Sequence, residues 1–397
     1  MGILKFIFII FLGTFCLGEV VRFNLGNNFF IKPVDISLGL LLLSWILVKS
    51  RELKSIILKD KIFIPLAIFA GSLLLSLILN AKNLSDNQMF VAFSYVVRWI
   101  MYSSLFFIAK SFPLNFKEKA LSFITRMGIV IIFFGFIQYL FYSNLRNLYY
   151  LGWDEHMYRM FSTFLDPNFA GAFFVSFLIF LMGMILFFLN NNKRSSVLIM
   201  IIFSILTAFS VLLSYSRSAL IMLLVGVSIF SILTKKKYWI LAIFLTSIIF
   251  IFVSSKNFNV ENINLFRIAS SEARIDSAKI ALNIIKDNPV VGVGFNAYRY
   301  AQAQYGFRKE ENAALSHADS GTDNSFLFIL ATSGVVGFIF YLNLLKSILN
   351  KAYSAYKNTK DKNVEKYLAI SLISTLGALT VDSFFINSLF YSFTMMW

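Results

Sequence analysis

Residues Val197–Leu213 read VLIMIIFSILTAFSVLL, a run without a single charged side chain. Such a stretch approaches the ~20 apolar residues that cross a bilayer as a helix. Ile62–Leu79 and Ile240–Val253 repeat the pattern. The chain of 397 residues is 58% hydrophobic, 17% aromatic and 14% charged, with a mean hydropathy of +0.75. A soluble core cannot hide that much apolar surface. The composition therefore excludes a soluble multi-domain protein and predicts an all-α integral membrane protein.

Apolar runs between polar breaks predict about 11–12 transmembrane helices, near 4–20, 33–48, 62–79, 89–109, 120–142, 168–189, 196–213, 218–234, 238–254, 324–345, 367–386 and 388–397. The last run is short for a straight span and reads as a half-helix or an interfacial segment. With a cytoplasmic N-terminus, the inside segments hold more than half of the 36 basic residues, among them Lys49, Arg51, Lys54, Lys59 and Lys61, and then Lys235, Lys236 and Lys237. Their acidic residues are only Glu52, Asp60, Glu118, Asp361 and Glu365, so nearly all of the net charge of +16 falls on that side. This asymmetry fixes the orientation and explains the basic balance without a nucleic-acid partner.

Cys16 is the only cysteine, which allows no internal disulfide, and the two histidines, His156 and His317, form no zinc-spaced cluster. Neither a metal nor another cofactor is expected. The apolar N-terminus is read as an uncleaved first helix rather than a signal peptide, given the many later spans. The chain thus falls into residues 1–254 with the first nine helices, an outer-face segment 255–322, and residues 323–397 with the remaining helices.

The outer segment is long, mixed in polarity and nearly balanced in charge, and a loop of that length is usually functional or disordered. Ile275, Ala278, Ala281, Leu282 and Ile285 recur at helical spacing, with Asp276, Lys279, Asn283 and Lys286 opposite. An amphipathic helix is predicted here, opened by Arg274 and stopped by Pro289 and the Gly292-Val293-Gly294 turn.

Several polar groups stand where they need a partner. Arg217, between Ser216 and Ser218 at the junction of two spans, must find an anion, a water-filled cavity or the headgroup layer. Arg274 either pairs with Glu272 or Asp276 or joins Arg217, since two guanidinium forks suit the oxygens of a diphosphate. Asp323 and Asn324 are helix caps or substrate groups, and Asp323 or His317 suits a general base acting on a sugar hydroxyl. Asp166-Pro167 starts the sixth span, with Arg159 as its partner or as a third anion ligand and Asn168 beside it. Asp35, Arg98, Arg126 and Asp382 are ionisable groups scattered singly over four spans, the material of a transporter's proton relay if they converge. No Walker, GxSxG or HExxH motif occurs.

The order Arg159…Asp166-Pro167-Asn168, Ser216-Arg217-Ser218, Ala273-Arg274, Asn288-Pro289-Val290-Val291-Gly292-Val293-Gly294-Phe295, Asp323-Asn324-Ser325-Phe326-Leu327 and Gly334-Val335-Val336-Gly337 resembles the O-antigen ligase and polymerase superfamily of bacterial membrane glycosyltransferases. Each motif is weak alone, and the set is best defined from about 150 to 345. The resemblance implies a GT-C-like helical enzyme at the outer face of the cytoplasmic (inner) membrane. It would use an undecaprenyl-diphosphate-linked oligosaccharide donor and a glycan or lipid-glycan acceptor, without metal or nucleotide, in contact with a flippase or chain-length regulator. It assigns Arg217 and Arg274 to the diphosphate, and Arg159, Asn168 and Asn324 stand beside them as candidate substrate-binding residues. Where the ligases carry a histidine before the tenth-span asparagine, this sequence carries Asp323, which leans the reading to polymerase over ligase and leaves the base as Asp323 or His317. A polytopic transporter or flippase, and a non-catalytic envelope scaffold, are the competing readings.

Overall fold

A computed structural model describes residues 1–26, 29–151, 153–236, 238–239, 269–307 and 321–396. Its helices are α1 Gly2–Phe15, α2 Pro33–Lys49, α3 Leu53–Leu58, α4 Phe63–Leu79, α5 Asp86–Ser111, α6 Leu114–Phe141, α7 Pro167–Asn190, α8 Arg194–Leu213, α9 Arg217–Thr234, α10 Ala269–Asp287, α11 Tyr298–Gln304, α12 Ser325–Asn358, α13 Val364–Asp382 and α14 Ser392–Met396. A two-residue hairpin pairs Phe23–Asn24 with Phe30–Ile31. Among the described residues, seven helices, α5 to α9 with α12 and α13, are long and apolar enough to cross a membrane, and α1 and α4 are shorter apolar helices. The expected all-helical membrane fold is what the chain forms. The expected span 238–254 lies outside the described residues except for its first two positions.

Polar caps set the helix starts. Ser85 accepts from Gln88 N while the Gln88 side chain accepts from Ser85 N, a reciprocal box at the head of α5. Asp166 accepts from the amides of Asn168 and Phe169 with Pro167 at the first helical position of α7. Ser216 and Asn363 cap α9 and α13 in the same way. Two expectations shift. The tenth span was read as 324–345, but α12 continues to Asn358 because no glycine or proline stops its polar end. The terminal run 388–397 yields only the short helix α14.

The chain divides into two compact units, residues 1–127, 273–347 and 389–397 in one, and 128–272 and 348–388 in the other. In the second, α7 is buried along nearly its whole length against α8, α9 and α13. Small residues allow the close approach: a β-carbon on Gly171 would lie 2.7 Å from Ala219 Cβ, and one on Gly183 would meet Ser371 Oγ at 2.3 Å. In the first unit, Arg98 pairs with Asp35 at 3.1 Å and donates to the Phe30 carbonyl at 2.7 Å, and Tyr102 reaches Asp35 at 3.4 Å. Of the four scattered ionisable groups, these two are partners. Arg126 instead sits over the Phe123 ring, and Asp382 is buried in the second unit.

The first unit also contains a broken helix. Gly334 in α12 has φ 63° and ψ −171°, and residues 289–294 insert into the gap. Val335 and Val336 N–H donate to the carbonyls of Pro289 and Val290 at 2.9 and 3.3 Å, while Val293 and Gly294 N–H donate to Ala331 and Thr332 at 2.9 and 3.0 Å. Ser76 Oγ lies between the Val291 and Thr332 carbonyls at 2.6 and 2.7 Å, and Asn80 Nδ2 donates to Gly292 O at 2.9 Å. Backbone freed by the break is thereby satisfied within the protein, as an apolar environment requires.

Candidate functional site

The segment between α6 and α7 folds over a small core of Leu145, Trp153, Phe161 and Leu165. His156, Tyr158, Ser162 and Leu165 all adopt positive φ, a concentration of backbone strain that surrounding contacts must hold. Gln138 supplies such contacts. Its Oε1 accepts from the amides of Phe161 and Ser162 at 2.8 and 3.1 Å, and its Nε2 donates to the Arg159 carbonyl at 3.2 Å. Ser162 Oγ donates to Ile131 O at 2.7 Å.

Arg159, 4% exposed, is thereby aimed at the turn before Arg217. Its Nε donates to Ser214 O at 2.9 Å, and one terminal nitrogen reaches Asn168 Oδ1 at 3.2 Å and Tyr215 O at 3.4 Å. Asn168 Oδ1 also accepts from Ser216 Oγ at 3.0 Å, which stands 3.2 Å from Ser218 Oγ. Arg159 and Asn168 are therefore brought together, on the Ser214–Ser216 turn whose central Tyr215 has φ 48°. Arg217 is half-buried at the first position of α9 and donates to Ser271 Oγ at 3.1 Å. His156, which the sequence offered only as a non-ligand, is buried with Nε2 3.7 Å from Asp166 Oδ2.

Arg274, Asp323 and Asn324 belong to the first unit. α10 begins at Ala269, so Arg274 stands in its second turn rather than opening it. The buried stripe of the helix also departs from the expected face. Ala281 and Ile284 are fully buried, whereas Ile275 and Leu282 are 56% and 54% exposed. Arg274, Ser277 and Ala281, at helical spacing, lie on the half-buried to buried side. Ser277 Oγ accepts from the Asp323 N–H at 3.4 Å, so the helix carrying Arg274 is tied one turn further on to the backbone of Asp323.

The Asp323 side is exposed, and Asn324 takes the cap: its Oδ1 accepts from Phe326 and Leu327 N at 2.9 and 3.0 Å. Tyr298 is 1% exposed, and burial together with the negative charge of nearby Asp323 pushes its phenol well above the usual tyrosine range. His317 lies outside the described residues. Sequence reading missed Gln138, Ser277 and Tyr298, because a lone polar residue carries no sign of a partner far along the chain. Ser76 and Asn80 did leave a trace, as polar residues one turn apart at the end of an apolar run.

Residues 202–342 match the family model described as O-antigen ligase, which supports the superfamily read from the motif order. The match encloses Arg217, Arg274, His317, Asp323 and Asn324, whereas Arg159 and Asn168 precede it. No curated protein matches the chain.

Proposed function

From an O-antigen ligase match over residues 202–342 on a multi-pass helical chain, we propose that the protein is a membrane glycosyltransferase of the ligase or polymerase type. It transfers a glycan from an undecaprenyl-diphosphate-linked donor to a sugar hydroxyl on the outer face of the bacterial cytoplasmic membrane, its N-terminus on the cytoplasmic side. The observation that carries this reading is that the matched stretch holds two arginines and a carboxylate suited to that reaction.

The acceptor oxygen attacks the anomeric carbon, and the bond from that carbon to the phosphate oxygen breaks. Its electron pair leaves with the diphosphate, whose growing charge Arg217 and Arg274 stabilise. The acceptor proton passes to Asp323, or to His317 six residues before it. One displacement inverts the anomeric carbon and needs no covalent sugar intermediate. Arg159 and Asn168 set the turn that presents Arg217, and Asn324 sets the start of α12 behind Asp323. The arginines supply the cationic charge that a metal provides to other phosphate leaving groups, so metal and nucleotide are not required.

Asp323, standing where the ligases carry histidine, favours the polymerase form. The test is the lipid-linked glycan profile of cells carrying the wild type or Arg217→Ala, Arg274→Ala or Asp323→Asn, each checked for membrane insertion. Single repeat units accumulating on the carrier support the polymerase, and long carrier-bound chains the ligase. Unchanged profiles in all three would overturn the reading.

A further inference from the structure

Within the first unit, a cleft of about 100 Å³ opens between the short turn after α4 and the segment from α10 to α11. Its polar lining is Asn80, Asn83, Asn288, Gln304 and Tyr305, over a floor that includes Val293 and Ala301, and none of its lining residues is charged. The amide nitrogens are already committed. Asn80 Nδ2 donates to the carbonyls of Ser76 and Gly292, each at 2.9 Å. Asn288 Nδ2 donates to Ile284 O at 3.2 Å and to Tyr305 Oη at 3.0 Å, and Gln304 Nε2 donates to Asn83 O at 2.6 Å.

These bonds fix which way the three amides face and leave their carbonyl oxygens as the available groups. Among the described residues, no donor takes the Oδ1 atoms of Asn80 and Asn288 or the Oε1 of Gln304. A neutral lining rich in acceptors selects a ligand rich in donors. It disfavours phosphate, which brings only negative oxygens. The volume is several times the roughly 15 Å³ that one water needs, enough for one ring and too small for an oligosaccharide repeat. The Tyr305 ring, which lines the cleft, is stacked on Phe307 with centroids 6.1 Å apart and planes 10° apart, and the floor offers apolar contact for ring C–H groups.

We propose that this cleft is a subsite for one uncharged sugar residue, bound through its hydroxyls and distinct from the arginines that hold the diphosphate. This rests on the glycosyltransferase reading and adds a sugar-recognition site to it. In that reading it holds one sugar residue of the glycan through contacts other than those to the diphosphate.

The full chain in lipid nanodiscs is probed by saturation-transfer NMR with glucose, galactose, N-acetylglucosamine and N-acetylgalactosamine, with inorganic phosphate as competitor. At least one sugar is expected to receive saturation, phosphate is expected not to displace it, and Gln304→Leu is expected to weaken binding about fivefold, the loss of one net hydrogen bond. Asn83→Trp, at an exposed position, fills the mouth and is expected to abolish the signal with the unfolding temperature unchanged. No transfer to any sugar, displacement by phosphate, or a signal unaltered by both variants would overturn the subsite. Because binding is read without turnover, the outcome is separate from that of the glycan profiles. Normal profiles in all three of those variants with sugar bound would sink the enzyme reading alone, and altered profiles with no sugar bound would sink the subsite alone.

Discussion

The Arg159 guanidinium donates from Nε to the Ser214 carbonyl at 2.9 Å while its other arm reaches Asn168 Oδ1 at 3.2 Å. One planar side chain thus joins the strained segment after α6, the first turn of α7 and the turn that leads into α9. A lysine places one point charge where this fork spans several acceptors.

Arg159→Lys is therefore expected to lower stability by about 1–3 kcal/mol, the cost of leaving buried carbonyls unsatisfied. Thermal unfolding of the detergent-solubilised protein measures it. Unfolding identical to wild type would show that the fork does not hold the turn.

Arg217→Ala is expected to slow glycan transfer about 100-fold or more, the usual cost of removing a group that stabilises a developing anion. Arg217→Lys keeps the charge and loses the fork, so its rate should fall between the two. Transfer from a purified lipid-linked donor by protein in nanodiscs gives both rates. Equal rates for alanine and lysine would mean that charge is not what the position supplies.

These two arginines illustrate how much a reader of the sequence sees. Asp166-Pro167 announces its helix start because both residues act on their own neighbours, and Pro289 with the following glycines announces a chain reversal for the same reason. The purpose of that reversal depends on Gly334, some forty residues further on, whose motif gives no hint that it breaks α12 to receive residues 289–294. The face of α10 was legible in part: Asp276, Lys279, Asn283 and Lys286 are exposed and Ala281 is buried as their spacing implies, while Ile275 and Leu282 stay exposed because the buried stripe turns toward Ser277 and Ile284. The pairing of Asp35 with Arg98 was hidden because each stands alone in its span.

Asp35→Ala is expected to cost about 3–5 kcal/mol, because it strands a buried guanidinium, whereas Asp35→Leu combined with Arg98→Met is expected to be close to neutral. Unfolding curves of both variants, read beside their glycan profiles, test this. A folded double variant with a defective profile would place the pair in the function and reopen the transporter reading.

Gly334→Ala meets two obstacles at once. The backbone has a positive φ, and the new β-carbon would lie 2.1 Å from the Val290 carbonyl oxygen. A loss of at least about 2 kcal/mol is expected from strain and overpacking together. Gly337→Ala, which keeps a helical backbone and meets only a close contact of its β-carbon with Ser333 Cβ at 2.3 Å, should be milder. Yield and unfolding temperature of the two variants, measured side by side, decide it, and equal effects would mean that the break in α12 relaxes to a continuous helix.

Ser76 and Asn80 wait for Val291 and Gly292, which follow them by 215 and 212 residues. At about 5–20 residues per second of translation that interval is on the order of ten to forty seconds. During it, the Asn80 carboxamide has only the Ser76 carbonyl beside it, and the Val291 and Gly292 carbonyls that complete the arrangement do not yet exist. Maturation of this region is consequently among the last events of biogenesis, and a ribosome that stops before Gly334 leaves behind an inserted chain whose residues 289–294 have nothing to lock into.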